Sequence, residues 1–168
     1  MAAAVLSSPH PASPPDGDLF LSCMVADEPG AAAALAEGAD PNFVNEHGIT
    51  PLLVLCGGVG PASLLSTLLQ AGASANLPDR SGWTPLIYVA SSGQLPLLEL
   101  LVAAGADVNG RSTDKSWTPL TRAAYRGQAA TVQRLLALGA DASAQTDGKT
   151  ALELAQSSGH EEVAALLR

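Results

Sequence analysis

Across its 168 residues the chain is 47% apolar yet holds only two each of Trp, Tyr and Phe, so any core must be aliphatic. Its formal charge of −8 is unevenly spread: residues 1–79 contain eight acids and no Lys or Arg, and residues 80–168 contain eight of each sign. An acidic first half lacks the basic footprint that a phosphate backbone requires, which argues against nucleic acid, and no stretch approaches the roughly 18 apolar residues of a membrane span.

Residues 1–17 are rich in Ala, Ser and Pro, with Pro9, Pro11, Pro14 and Pro15 closely spaced. Such a segment cannot bury a core and is expected to be a disordered or extended tail. The apolar run Met1–Leu6 is too short for a signal peptide and follows no Lys or Arg. Next, Leu19–Val25 and Ala31–Ala36 read as two helices leading into Gly38-Ala39-Asp40-Pro41-Asn42. The first of these helices is unusually apolar (Leu19, Phe20, Leu21, Met24, Val25). Most should be core, and any left outward would form a contact surface or lie under the tail.

A clearer unit follows. In Gly82-Trp83-Thr84-Pro85-Leu86 the Thr hydroxyl suits a helix N-cap and Pro85 suits the first helical position, where no N–H is needed. Gly93 supplies a left-handed residue to end that helix, Gly105 ends a second, and Asp107–Gly110 fit a tight turn. The unit recurs: Thr50-Pro51-Leu52, Thr84-Pro85-Leu86 and Thr118-Pro119-Leu120 are spaced by 34 and 34, with Thr150-Ala151-Leu152 32 further on. Gly38-Ala39, Gly72-Ala73, Gly105-Ala106 and Gly139-Ala140 keep spacings of 34, 33 and 34. Two independent motifs holding one period define a repeat array.

At these residues the chain resembles the ankyrin-repeat family, over roughly Asp18 to Arg168. The resemblance implies an all-α repeat solenoid of paired antiparallel helices joined by β-hairpin-like loops. The repeats fall at about 18–44, 45–78, 79–111, 112–144 and 145–168. Two of them depart from the pattern. In the second, the extra residue within Gly57-Gly58-Val59-Gly60-Pro61 should end the first helix early, after about Cys56, and leave a looser turn. A looseness at that place is similar to ankyrin-type inhibitors of cyclin-dependent kinases. In the fourth, the finger Gly110–Ser116 is one residue longer, and Ser116 replaces the usual Gly.

No catalytic or metal constellation emerges. His10, His47 and His160 lie far apart, and Cys23 and Cys56 form no Cys-x-x-Cys pair. Both cysteines sit in apolar runs and read as buried free thiols suited to a reducing compartment, cytoplasmic or nuclear. The Gly-rich run 57–60 lacks the Lys-Ser/Thr of a phosphate loop. No cofactor is implied, and a rival reading with Cys56 as a reactive residue rests on that run alone.

The family resemblance implies recognition instead, with partners on a concave face lined by hairpin tips and first helices. Carried over position by position, it marks Ile49, Trp83, Trp117 and Lys149 at hairpins, and Ser91, Ser92, Tyr125 and Arg126 at the ends of first helices, with Ser157 and Ser158 equivalent. Trp83 and Trp117 should stand side by side with Tyr125 and Arg126 beside Trp117, either as an interface anchor or as hairpin packing. Arg80 and Lys115 add tip charges which, with Asp114 and Asp147, are expected to be solvated. The turn holding Asn109 resembles sites of asparagine hydroxylation, against the simpler role of an Asn that holds its turn. The expectation is a non-catalytic binding module for a protein partner, an inhibitor or adaptor in signalling or cell-cycle control, monomeric when free. The alternative is a structural subunit held permanently in a complex through its apolar first repeat.

Overall fold

The computed structural model describes residues 14–58 and 60–168. Among these, ten helices run in pairs: α1 Pro14–Met24 and α2 Glu28–Ala36, α3 Pro51–Gly57 and α4 Ala62–Gln70, α5 Pro85–Ser92 and α6 Leu95–Ala103, α7 Pro119–Tyr125 and α8 Ala129–Ala137, α9 Ala151–Ser157 and α10 Glu161–Leu166. The odd-numbered helices pack on one another in sequence, as do α2, α4 and α6 and then α8 and α10, with α6 and α8 joined by the Glu99–Arg134 ion pair, and each pair also packs internally. The fold is therefore an all-α repeat solenoid, two helices deep.

Each of the last four repeats starts for the same local reason. The side-chain oxygens of Thr50, Thr84, Thr118 and Thr150 accept the N–H of the residue three on: Leu53, Ile87, Thr121 and Glu153. Proline fills the first helical position in the first three. The fourth has Ala151 there, but Glu153 reaches back to the Thr150 N–H and completes a capping box. Between the two helix rows runs one continuous aliphatic cluster from Leu19 to Ala164, with Leu52, Leu65, Leu86, Leu98, Leu120 and Leu135 each at most 1% exposed. Neighbouring repeats bury one another's apolar faces, so stability is shared along the stack.

Two hydrogen-bond ladders fix the spacing. Asn42, Asn76 and Asn109 each donate a side-chain amide to the helix-ending glycine carbonyl of the next repeat (Gly72, Gly105, Gly139) and accept an N–H from it (Ser74, Asp107, Asp141). On the other side, Gln94 and Gln128 donate to the Gly58 and Ser91 carbonyls of the preceding repeat, and the His160 ring meets the Tyr125 carbonyl at 3.1 Å. Asn109 thus has a structural task shared with its two counterparts.

Several expectations need correction. Residues 14–17, expected in the tail, form the first turn of α1, because Pro14 and Pro15 occupy positions whose N–H groups would be unpaired in any helix. Asp16, in the same turn, accepts the Asp40 N–H at 2.7 Å and ties the helix to the first hairpin. The other tail residues, 1–13, lie outside the described residues. The glycine run does stop α3 at Gly57, but α3 is no shorter than α7; the change is that its C-cap, Gly58, is extended rather than left-handed. The fourth finger is longer as expected: the Ser112 N–H pairs with the Trp117 carbonyl across five residues, where Asp79 and Trp83 span four. Ser116 adopts the glycine conformation there, at φ 56°. Among the described residues only the last hairpin contains strands, β1 Gln145–Thr146 and β2 Lys149–Thr150, paired antiparallel with Gln145 opposite Thr150.

Candidate functional site

Four of the residues marked by the sequence, Trp83, Ser91, Trp117 and Tyr125, meet around one they did not include, Arg122. Its guanidinium carbon lies 4.8 Å from the centre of the Trp83 ring, 5.0 Å from that of Trp117 and 5.4 Å from that of Tyr125. The Trp pair therefore does not stand in direct contact; a cation is inserted between the two indoles. The Arg122 Nε donates to the Ser91 hydroxyl at 3.1 Å, which fixes the plane of the group. Each cation–ring contact is worth about 0.5–2 kcal/mol, more as water is excluded. Burial and the nearby positive charge of Arg126 both lower the pKa of Arg122, while Tyr125 and Asp114 act in the opposite sense.

Local geometry explains the assembly. Trp117 is the residue just before the Thr118 cap, and Arg122 is the fourth residue after it, so the two meet as a staple across the helix start. Trp83 and Tyr88 repeat this relation around Thr84, with ring centres 5.3 Å apart. Tyr88 donates to Asp79 Oδ2 at 2.7 Å, and burial, followed by that bond and charge, raises its pKa. The Trp83 Nε1 makes a long hydrogen bond of 3.4 Å to Asp114. Burial would raise the pKa of Asp114, but hydrogen bonds from Ser112, the Lys115 N–H and Trp83 outweigh it and hold the carboxyl below its usual range. The spacing of five residues across a Thr cap was the signal that could have found Arg122 and Tyr88.

The marked residues divide by exposure. Tyr125 is 42% exposed and packs on Trp117 at 5.4 Å, and Trp83 is half-buried. Trp117, by contrast, is only 8% exposed and forms the floor of the cluster rather than a projecting anchor. Arg126 is exposed as the C-cap of α7; the cation against Trp117 is Arg122, because helical side chains lean toward the N-terminus and cover the turn before them. Ser92 is exposed and bonds back to carbonyls of its own helix. Ile49 is half-buried in the second hairpin, and Lys149 is exposed in β2.

The tip charges are not simply solvated. Arg80 donates to the Glu46 carbonyl of the preceding hairpin, and Lys115 pairs with Asp147 of the following one at 3.1 Å. These charges lace neighbouring fingers together. Cys56 is fully buried, and burial raises its pKa, as it pushes that of Cys23 up to about 12. A sealed, protonated thiol is no nucleophile, so the reading with Cys56 as a reactive residue fails. Among the described residues no group of three or more His, Cys, Asp or Glu could hold a metal ion, and no helix is long and apolar enough to cross a membrane.

Comparison with known proteins agrees with the repeat. The family model for ankyrin repeats (three copies) matches residues 19–112 and again 110–168. The RelA-associated inhibitor of Mus musculus is 41% identical over 76 residues, 45% of this chain and 9% of that protein. The tyrosine-protein kinase HTK16 of Hydra vulgaris is 36% identical over 99 residues, 57% of this chain and 13% of the kinase. The putative ankyrin repeat protein YahD of Escherichia coli K12 is 39% identical over 69 residues, 39% of this chain and 34% of YahD. The matched stretch is thus a small part of each of these relatives.

Proposed function

Since the chain belongs to the ankyrin-repeat family, whose repeats serve as protein–protein interaction modules, we propose that its binding site is the face where Arg122 is held between Trp83 and Trp117, with Tyr125 and Arg126 exposed beside it. The observation that carries this reading is the clamped guanidinium. Tyr, Trp and Arg dominate the energetics of protein interfaces, and a side chain already immobilised loses little entropy on binding. Ser91, Ser92 and the finger residues Ile49, Arg80, Lys115 and Lys149 would border the contact. The partner is a protein, and the role an inhibitor or adaptor in signalling or cell-cycle control, in the cytoplasm or nucleus. The name of one relative, an inhibitor associated with RelA, supports the inhibitor class. A second reading, a subunit held in a larger complex through its first repeat, draws support from Leu21, Met24 and Val25, which are 59%, 60% and 75% exposed.

The test uses the exposed half of the cluster, because a Trp117 variant would unfold the floor. Arg122→Gln and Tyr125→Ala/Arg126→Ala are compared with wild type by affinity capture from source lysate. A partner lost selectively, with melting unchanged within a few degrees for Tyr125→Ala/Arg126→Ala, supports the site. Undiminished capture by both variants overturns it.

A further inference from the structure

The open end of the first repeat is a groove of about 410 Å³ between α1 and α2. Leu21, Val25, Ala33 and Ala34 line it, and Asp18, Asp27 and Glu37 contribute three carboxylates to the same wall. Elsewhere in the stack the corresponding face of each helix pair is covered by the helices of the repeat before it, as α3 is by α1. The surface is therefore shaped to receive a helix, and α1, at 11 residues, offers a seat about 16 Å long.

Charge selects the occupant. No Lys or Arg precedes Arg80 in the sequence, so nothing on this repeat neutralises the three acids. Residues 1–13 of the chain contain neither Lys nor Arg, and against three carboxylates they set only the imidazole of His10. A second copy fares no better. Joined end to like end, it would set the same three acids against themselves; joined first repeat to last, it would set them against Glu161 and Glu162, where Arg168 is already paired with Glu161 at 3.8 Å. Like charges face to face reject a partner, and opposite charges speed the encounter and fix its register.

We propose that this groove docks a basic amphipathic helix of a partner protein, about three turns long, with apolar side chains on Leu21 and Val25 and Lys or Arg facing Asp18, Asp27 and Glu37. The contact is independent of the Arg122 cluster and takes the same form whether it is permanent or transient.

Two synthetic 14-residue peptides test it against the full, isotopically labelled chain. Both carry leucines at helical i, i+3, i+4, i+7 spacing; one has lysines on its polar face and the other glutamates. The lysine peptide should bind at least tenfold more tightly, with amide shifts confined to α1 and α2. Leu21→Ser/Val25→Ser should weaken it at least tenfold, and Asp18→Lys/Glu37→Lys should reverse the preference between peptides. These positions are exposed enough to keep the fold, which far-UV melting checks; should the double variant melt early, Val25→Ser alone replaces it. Equal affinities, no binding of the lysine peptide, or shifts centred elsewhere overturn the proposal. So do concentration-dependent shifts at Leu21 and Val25 in the free chain, which mark a second copy, or shifts there on Val5→Ser/Leu6→Ser, which mark the chain's own segment.

Discussion

The first and last repeats are the same helix pair facing opposite ways out of the stack, and they finish differently. At the last repeat the exposed side chains of α9 and α10 include Glu153, Gln156, Glu161 and Glu162, with Leu166 at 41%. At the first, α1 exposes Leu21, Met24 and Val25 to a greater degree. The last repeat is also tied by polar bonds: Thr146 is fully buried and donates to the Thr121 hydroxyl at 2.7 Å within reach of the Ser116 carbonyl. The difference teaches where a repeat protein is free to vary. Inward positions are dictated by the neighbour, so only a terminal outer face can be made polar for solubility or left apolar for contact.

The widest test of this contrast sets the middle of the stack against an end. Leu98 is fully buried in α6, and Leu98→Ala should cost about 2–5 kcal/mol, whereas Leu166→Ala should stay within about 0.5 kcal/mol. Urea unfolding followed by far-UV circular dichroism compares them, and equal costs would break the distinction between dictated and free positions. A smaller effect sharpens the account of the last repeat. Thr146→Val keeps the shape but removes the donor to the Thr121 hydroxyl, which keeps its bonds to Thr118, and should cost about 0.5–1.5 kcal/mol in the same assay. A loss below that range would mean the polar tie is dispensable.

A further contrast separates the acidic half from the rest through pH. Both thiols lie in the first two repeats, and burial raises Cys23 from 9.0 to about 12 and Cys56 further. A raised thiol pKa means that the native state holds its proton after the unfolded chain has lost it. The thiols' contribution is therefore complete below pH 9 and disappears as pH climbs toward 12. The melting temperature should fall between pH 8.5 and about 11, and fall less steeply in Cys23→Ala/Cys56→Ala. Parallel slopes for the two proteins would remove the thiols as the cause.

The solenoid was legible because its start signals are local. Thr50, Thr84 and Thr118 followed by Pro encode a capped helix start wherever they occur, and the period between them counts repeats without tertiary knowledge. The start of α1 was misread for the opposite reason: Pro14 and Pro15 suit an extended tail and a helix's first turn equally, and the Asp16 bond to Asp40, 24 residues away, comes into being only in the fold. At the site, equivalence between repeats set Trp83 beside Trp117 with Tyr125 next to it, and all three rings lie within 5.4 Å of the Arg122 guanidinium. It could not rank Arg122 over Arg126, because that depends on the lean of side chains toward the helix N-terminus. Nor could it reveal that Trp117 is buried, with Arg122 and Tyr125 packed against its ring.

The Arg122 clamp also makes the protein its own optical gauge. Trp83 and Trp117 are the two tryptophans of the chain, and both rings touch the same guanidinium. Light absorbed by indole is thus emitted from a single spot between the third and fourth repeats. Fraying of either end will dim the helical dichroism while leaving this emission unchanged, and any difference between the two signals measures how far the stack has unzipped.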